Sequence, residues 1–423
     1  MISLFLTIEE NNQFVRMEQI TEEIQKHQTK MELRDIFNQL QIATSVRPQK
    51  LKYYLNIISK FKDILKENFD SDDLVTIFSN RPLVRYLYHL NLIDNDALMD
   101  FCQLSKTNYF ALYDLIDHQK FDRQKCRIYD EVDINDEGYI PDNHDELCLS
   151  GQCPDPVATI IQEDNLDEFQ NLLDNNKIKI NDKINSSIYD CIFTFEIRHS
   201  LIEYAARTGS VNIFKYLWLQ NNLKLDYMLG SYATMGGNSE IIHIIHEENP
   251  SFIDESSIIT AIEFHRNSVF EYFMNSCQPD YIDKIHNKLA SVCIKTYNIE
   301  AYKMLKASYL DIRHHIDLFI SAASVGFYNR VKKFLNYDNF DPNKISSKFG
   351  TNALIKAATE NQYDIVTTLI ESGKVNEMIT NIMNQNAFIA AVNRNNYKII
   401  KFLASLPTYQ EYIRKDKIFV YDK

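Results

Sequence analysis

The chain has 423 residues, more than one compact core usually holds, so two or more domains or an elongated repeat array are expected. It is 45% hydrophobic and 24% charged, as folded proteins are, and its 9 Gly and 9 Pro favour helices over a β-sandwich. A net charge of -13 argues against nucleic acid as a partner, because neutralising phosphates takes a basic face.

The first stretch, "MISLFLTIEENNQF", carries an apolar run from Ile2 to Ile8 that is short and interrupted by Ser3 and Thr7. No basic residue precedes it, so it reads as neither a signal peptide nor a membrane span. No later segment is long and apolar enough to insert in a membrane. A cytoplasmic location is expected, with the seven cysteines as reduced thiols, mostly in the core. Residues 1–118 read as an irregular all-α domain. Leu55, Ile58, Phe61 and Leu65 share a helical face, and Ser71 is expected to cap the helix that follows.

Residues 119–154 form an acidic linker. In "DEVDINDEGYIPDNHDE", Asp133, Asn135, Glu137, Gly138 and Ile140 fall at calcium-loop positions. His144, however, stands where the bidentate Glu must be, and Pro141 interrupts the incoming helix. His144, Cys148, Cys153 and Cys126 lack the tight spacing of a closed zinc site. His243 and His246 share a helix without the order of a metalloprotease motif. With no glycine-rich phosphate loop or nucleophile elbow, neither metal, cofactor nor catalytic residue is expected.

From residue 155 a pattern repeats. In "SLIEYAARTGSVNIFKYLWL" two alanines, Ala205 and Ala206, precede Gly209, and Ile213, Phe214 and Leu217 follow it. The same register returns around Asp164, Gly237, His265, Tyr297, Gly326, Asn361 and Asn395, which makes eight copies over 155–407. A small residue before the turn lets one helix approach its neighbour closely. The apolar positions after the turn share one face of a second helix. Seven of the eight turn residues are Gly, Asn, Asp or His, types that tolerate positive φ. Tyr297 departs from this rule, so its copy is expected to be the most distorted. Residues 408–423 read as a tail or cap.

"GTNALIKAATENQYDIVTTLIESG" (350–373) resembles an ankyrin repeat, with Asn352-Ala353-Leu354-Ile355 in place of the Thr-Pro-Leu-His start. The interrepeat hairpin residues are mostly absent, so hairpins are expected to be short or replaced by loops. "SLIEYAARTGSVNIFKYL" and the copies after it, preceded by "CLSGQCPDPVATIIQEDNLDEFQNLL", resemble an ankyrin-like domain of unknown function expanded in trichomonad protists. The resemblance covers roughly 130–407. It implies an all-α, ankyrin-like helical-repeat solenoid with a protein-binding role, and it names no partner.

The expected function is a non-enzymatic protein-protein interaction scaffold whose concave face binds a protein. The residues between the small pair and the turn would line that face: Arg207, Thr208, Met235, Glu263, Phe264, Lys295, Thr359, Glu360, Asn393 and Arg394, with Gly236, Thr296, Ser324 and Val325 beside them. The alternative is an adaptor whose N-terminal helices recruit degradation or signalling machinery while the repeats select cargo.

Overall fold

The structure is a computed structural model that describes residues 1–27, 29–116, 143–185, 187–189, 198–221, 227–309, 316–346 and 350–416. The chain divides into two compact units. The first comprises Met1–Lys30 and Ile36–Cys277, the second Met31–Asp35 and Gln278–Lys423.

In the first unit the N-terminal helices are α1 (Ile2–Leu6), α2 (Gln13–Lys26), α3 (Lys30–Val46), α4 (Leu51–Lys60) and α5 (Lys62–Asn68). They continue as α6 (Ser71–Ile77), α7 (Arg81–His89), α8 (Asn95–Cys102), α9 (Lys106–Leu112) and α10 (His144–Ser150). The first turn of α3 is counted with the second unit. Phe37 anchors this region, meeting Phe69 and Phe78 edge-on at 6.2 and 6.0 Å, a favoured aromatic geometry. The cap of α6 is Asp70, not Ser71: the Asp70 carboxylate accepts the Asp73 amide at 2.8 Å, and Ser71 is already helical. A carboxylate one residue earlier reaches the free first-turn amides and also favours their positive end.

Eight helix pairs follow among the described residues. In the first unit these are α11 (Pro156–Gln162) with α12 (Leu166–Asp174), α13 (Leu201–Thr208) with α14 (Val211–Asn221), α15 (Tyr227–Gly236) with α16 (Ser239–Glu248), and α17 (Glu255–Glu263) with α18 (Asn267–Ser276). In the second they are α19 (Pro279–Lys295) with α20 (Ile299–Tyr309), α21 (Ile316–Ser324) with α22 (Tyr328–Leu335), α23 (Ala353–Thr359) with α24 (Tyr363–Glu371), and α25 (Ala387–Asn393) with α26 (Tyr397–Ser405). Helix α27 (Pro407–Asp416) packs on α26.

First helices pack on first helices: α13 against α15, α21 against α23, α23 against α25. The small residues sit at these contacts, and Ala205, Ala233, Ala261, Cys293, Ala322, Ala357 and Ala391 are all fully buried. The approach is closest at Gly236, where an added Cβ would stand 2.2 Å from the Ala206 carbonyl oxygen. All eight turn residues are left-handed, with φ between 51° and 78°. Tyr297 is one of them, at φ 54°, so its turn is not distorted as expected. Its ring is held in place, stacking on Phe327 at 4.1 Å, and its hydroxyl points at the Asp35 carboxylate, 3.4 Å away. What sets that copy apart is the 17-residue first helix.

Strong caps begin the first helices. Ser200 forms a full capping box with Glu203, and Asn352 and Asn386 accept the Ile355 and Ile389 amides. Asn352 thus takes the capping role of the missing Thr. Among the described residues strands occur at one connector: β1 (Lys183–Asn185) pairs antiparallel with β2 (Arg198–Ser200), Ile184 opposite His199. No helix among the described residues is long and apolar enough to cross a membrane.

Candidate functional site

In four repeats the residue after the left-handed turn carries a role that the sequence pattern does not announce. Its side chain reaches back to the preceding repeat and satisfies carbonyls left open at the end of a first helix. Ser210 donates to the Ile161 carbonyl, and Asn238 Nδ2 to the Gly209 carbonyl at 3.1 Å. Asn396 Nδ2 donates to the Ala358 carbonyl at 2.7 Å and to that of Thr359 at 3.2 Å. Arg266 does the same through Nε, 2.8 Å from the Met235 carbonyl. These side chains stitch neighbouring repeats together. They escape a sequence search because Ser, Asn and Arg share donors but no common shape.

Of the expected partner-facing residues in the first unit, all but Glu263 gather at one cavity. Arg207, Thr208, Met235 and Phe264 line it with Arg266, and Val46, Pro48 and Gln49 stand on the same wall. Arg207 is 8% exposed, which corrects the expectation that it would face a partner. Met235 and Phe264 are half-buried, while Thr208 and Glu263 are exposed. The pairing of this face with a segment some two hundred positions earlier in the chain has no local signal. Arg47 anchors that segment, donating from Nη1 to the Phe264 carbonyl at 3.1 Å. Burial pulls the Arg47 guanidinium down to about 10. Burial, and then the charge of Arg47, bring Arg266 to about 9. Both stay cationic at neutral pH.

In the second unit Lys295, Glu360, Asn393 and Arg394 are exposed and Thr359 half-buried. Glu360 pairs with Lys356 one turn back. Exposed apolar side chains lie close by in sequence: Ile382, Met383, Val392 and Tyr397.

A second polar cluster belongs to the first unit. Arg85, 1% exposed, donates through Nε to Asp145 at 2.5 Å, through Nη1 to Asp114 at 2.8 Å and through Nη2 to the other Asp114 oxygen. Against the cost of burial, hydrogen bonds from Arg85 and His144 hold the Asp114 carboxyl well below the usual range. His144 Nε2 lies 3.4 Å from Asp114 and 3.5 Å from Cys148 Sγ, and its Nδ1 is 3.0 Å from the Tyr189 hydroxyl. This resembles a nucleophile constellation only in composition. Burial pushes the Cys148 thiol up to about 12, and it donates to the Ala111 carbonyl, so it stays protonated. Among the described residues no group of three His, Cys, Asp or Glu side chains is arranged to hold a metal ion. The calcium-loop stretch and Cys126 lie outside the described residues. His243 and His246 both lean on the Tyr272 ring of the next helix pair, at 5.0 and 5.7 Å, and so are packing residues.

Comparison with known proteins gives three findings. Residues 318–416 match the family model of ankyrin repeats, in three copies. No curated protein matches significantly. Among solved structures, the ankyrin repeat domain of Bcl-3, described as a unique member of the IkappaB protein family, is 17% identical, with a TM-score of 0.26 over 59% of this chain and 100% of that one. The human ASB11 ankyrin repeat domain is 14% identical, with a TM-score of 0.26 over 60% and 99%. Residues 318–416 thus match ankyrin repeats, and the described residues form an all-α repeat fold.

Proposed function

We propose that this chain is a non-enzymatic interaction scaffold of the cytoplasm that holds a protein partner against the ends of its first repeat helices, chiefly in repeats five to eight. The observation that carries this reading is positional. Lys295, Glu360, Asn393 and Arg394 occupy the same place in three repeats and are exposed, while the small residues just before them are buried. Ankyrin repeats generally mediate protein-protein interaction. Their exposure beside buried packing positions supports a role in meeting a partner. Glu360 among two cations and an asparagine makes the surface mixed in charge, which suits a folded protein partner better than a phosphate backbone. The protist ankyrin-like family resembled by roughly residues 130–407 belongs to the same reading.

Proximity labelling in the native cell tests it. The full chain and a Lys295→Glu/Arg394→Glu variant are compared with a Lys215→Glu control on the outer face of α14. The proposal requires the labelled set to lose its leading protein at least tenfold in the double variant alone. Equal labelling by all three chains refutes it.

A further inference from the structure

We propose that the cavity between Val46–Gln49 and the first four repeats binds a small oxyanion, a phosphate or carboxylate carried on a short apolar body. The cavity measures about 190 Å3 and opens to solvent. Its lining brings together two guanidinium groups, Arg207 and Arg266, with the side chains of Gln152, Gln162 and Thr208; Gln162 Nε2 already donates to the Tyr204 hydroxyl at 2.7 Å and Thr208 Oγ1 to the Tyr204 carbonyl at 3.0 Å. Met235, Phe264, Val46 and Pro48 make up its apolar part. Arg47 stands behind this wall, 8% exposed.

Two cations at the site, Arg47 and Arg266, are held, within the described residues, by backbone carbonyls alone. Arg47 donates to the carbonyls of Val46 and Phe264, and Arg266 to that of Met235. Among the described residues neither forms an ion pair with a carboxylate. The nearest basic neighbour, Lys50, takes up Glu9 at 3.8 Å and the Leu6 carbonyl. Burying cations beside one another without a counter-charge is costly, and carbonyl dipoles offset only part of the cost. In a protein of net charge -13 such a concentration of positive charge is not a consequence of composition. A guanidinium fork whose Nε is already held by a carbonyl directs its remaining N–H groups as a donor pair suited to a flat or tetrahedral oxyanion. Gly237 permits this pose, since a Cβ there would stand 2.4 Å from Arg266 Cδ. The volume lies below the ~300–1,000 Å3 of pockets for drug-sized ligands, which points to one anionic group and a small body rather than a nucleotide.

The test is calorimetric titration of the full chain with phenyl phosphate, phenylacetate, inorganic phosphate and phenol. Phenyl phosphate or phenylacetate is expected to bind at least tenfold more tightly than phenol and more tightly than inorganic phosphate. Arg266→Gln keeps a donor for the Met235 carbonyl and is expected to weaken that binding tenfold or more, whereas Arg394→Gln changes nothing. Should Arg266→Gln fail to fold, Gln152→Glu decides. A carboxylate supplied at the wall should displace the added anion, lowering affinity tenfold, and should raise Tm. Absence of binding at about 10 mM, beyond ordinary ligand concentrations, would overturn the proposal. So would phenol binding as tightly as the anions, or unchanged affinity in both Arg266→Gln and Gln152→Glu.

Discussion

Single residues carry unequal loads. Arg85 is costly to change, because its removal leaves the Asp114 and Asp145 carboxylates without their shared cation. Arg85→Ala is expected to lose about 1–3 kcal/mol in urea denaturation, less than for a fully buried pair because the Asp114 and Asp145 carboxylates are 34% and 54% exposed. His199 gives a pH signature. Burial first, and then Arg207, hold its imidazole down at about 4, with its ring edge-on to Tyr232 at 5.3 Å. Between about pH 6.5 and pH 4 the unfolded chain binds a proton there that the folded chain refuses, so stability rises with pH across that window and is lost as pH falls. His199→Phe should flatten that part of the stability profile, measured as urea midpoints from pH 4 to 7. Tyr297 shows how a residue misread by type is explained by packing. A bulky aromatic tolerates the left-handed turn because stacking on Phe327 offsets a backbone cost of order 1–2 kcal/mol.

At the scale of elements, the helix pairs were legible because two periodicities coincide: small residues at one contact and apolar residues three apart on the next helix. The turn residues were legible because few side chains accept positive φ. Two features were not. The stitches use different side chains for one task, and the docking of Val46–Gln49 by repeats two to four depends on contacts far apart in sequence. Both yield predictions. Asn396→Ala removes the donor to the Ala358 carbonyl and leaves it buried, at an expected cost of about 1–3 kcal/mol, with hydrogen exchange rising in α25 and α26 before the other helices. Gly236→Ala drives a methyl into the Ala206 carbonyl and is expected to cost more than about 2 kcal/mol, several times the effect of an exposed Gly→Ala change.

For the molecule as a whole, buried and exposed residues separate by position within the repeat, and the proposed partner contacts fall among the exposed ones. The described cysteines Cys102, Cys148, Cys153 and Cys293 are buried, as small apolar core residues are. The expected binding face was legible only in part. The repeat register located its candidate positions, but the burial of Arg207 beside a cavity shared with Val46, Pro48 and Gln49 could not be read from local sequence. The measurement that tests the central claim most directly is hydrogen exchange on the full chain with and without the protein recovered by proximity labelling. The account predicts protection at the first-helix ends around Lys295, Val325, Glu360 and Arg394, with α12 and α14 unchanged. Protection confined to α12 and α14, or none at the four first-helix ends, would contradict it.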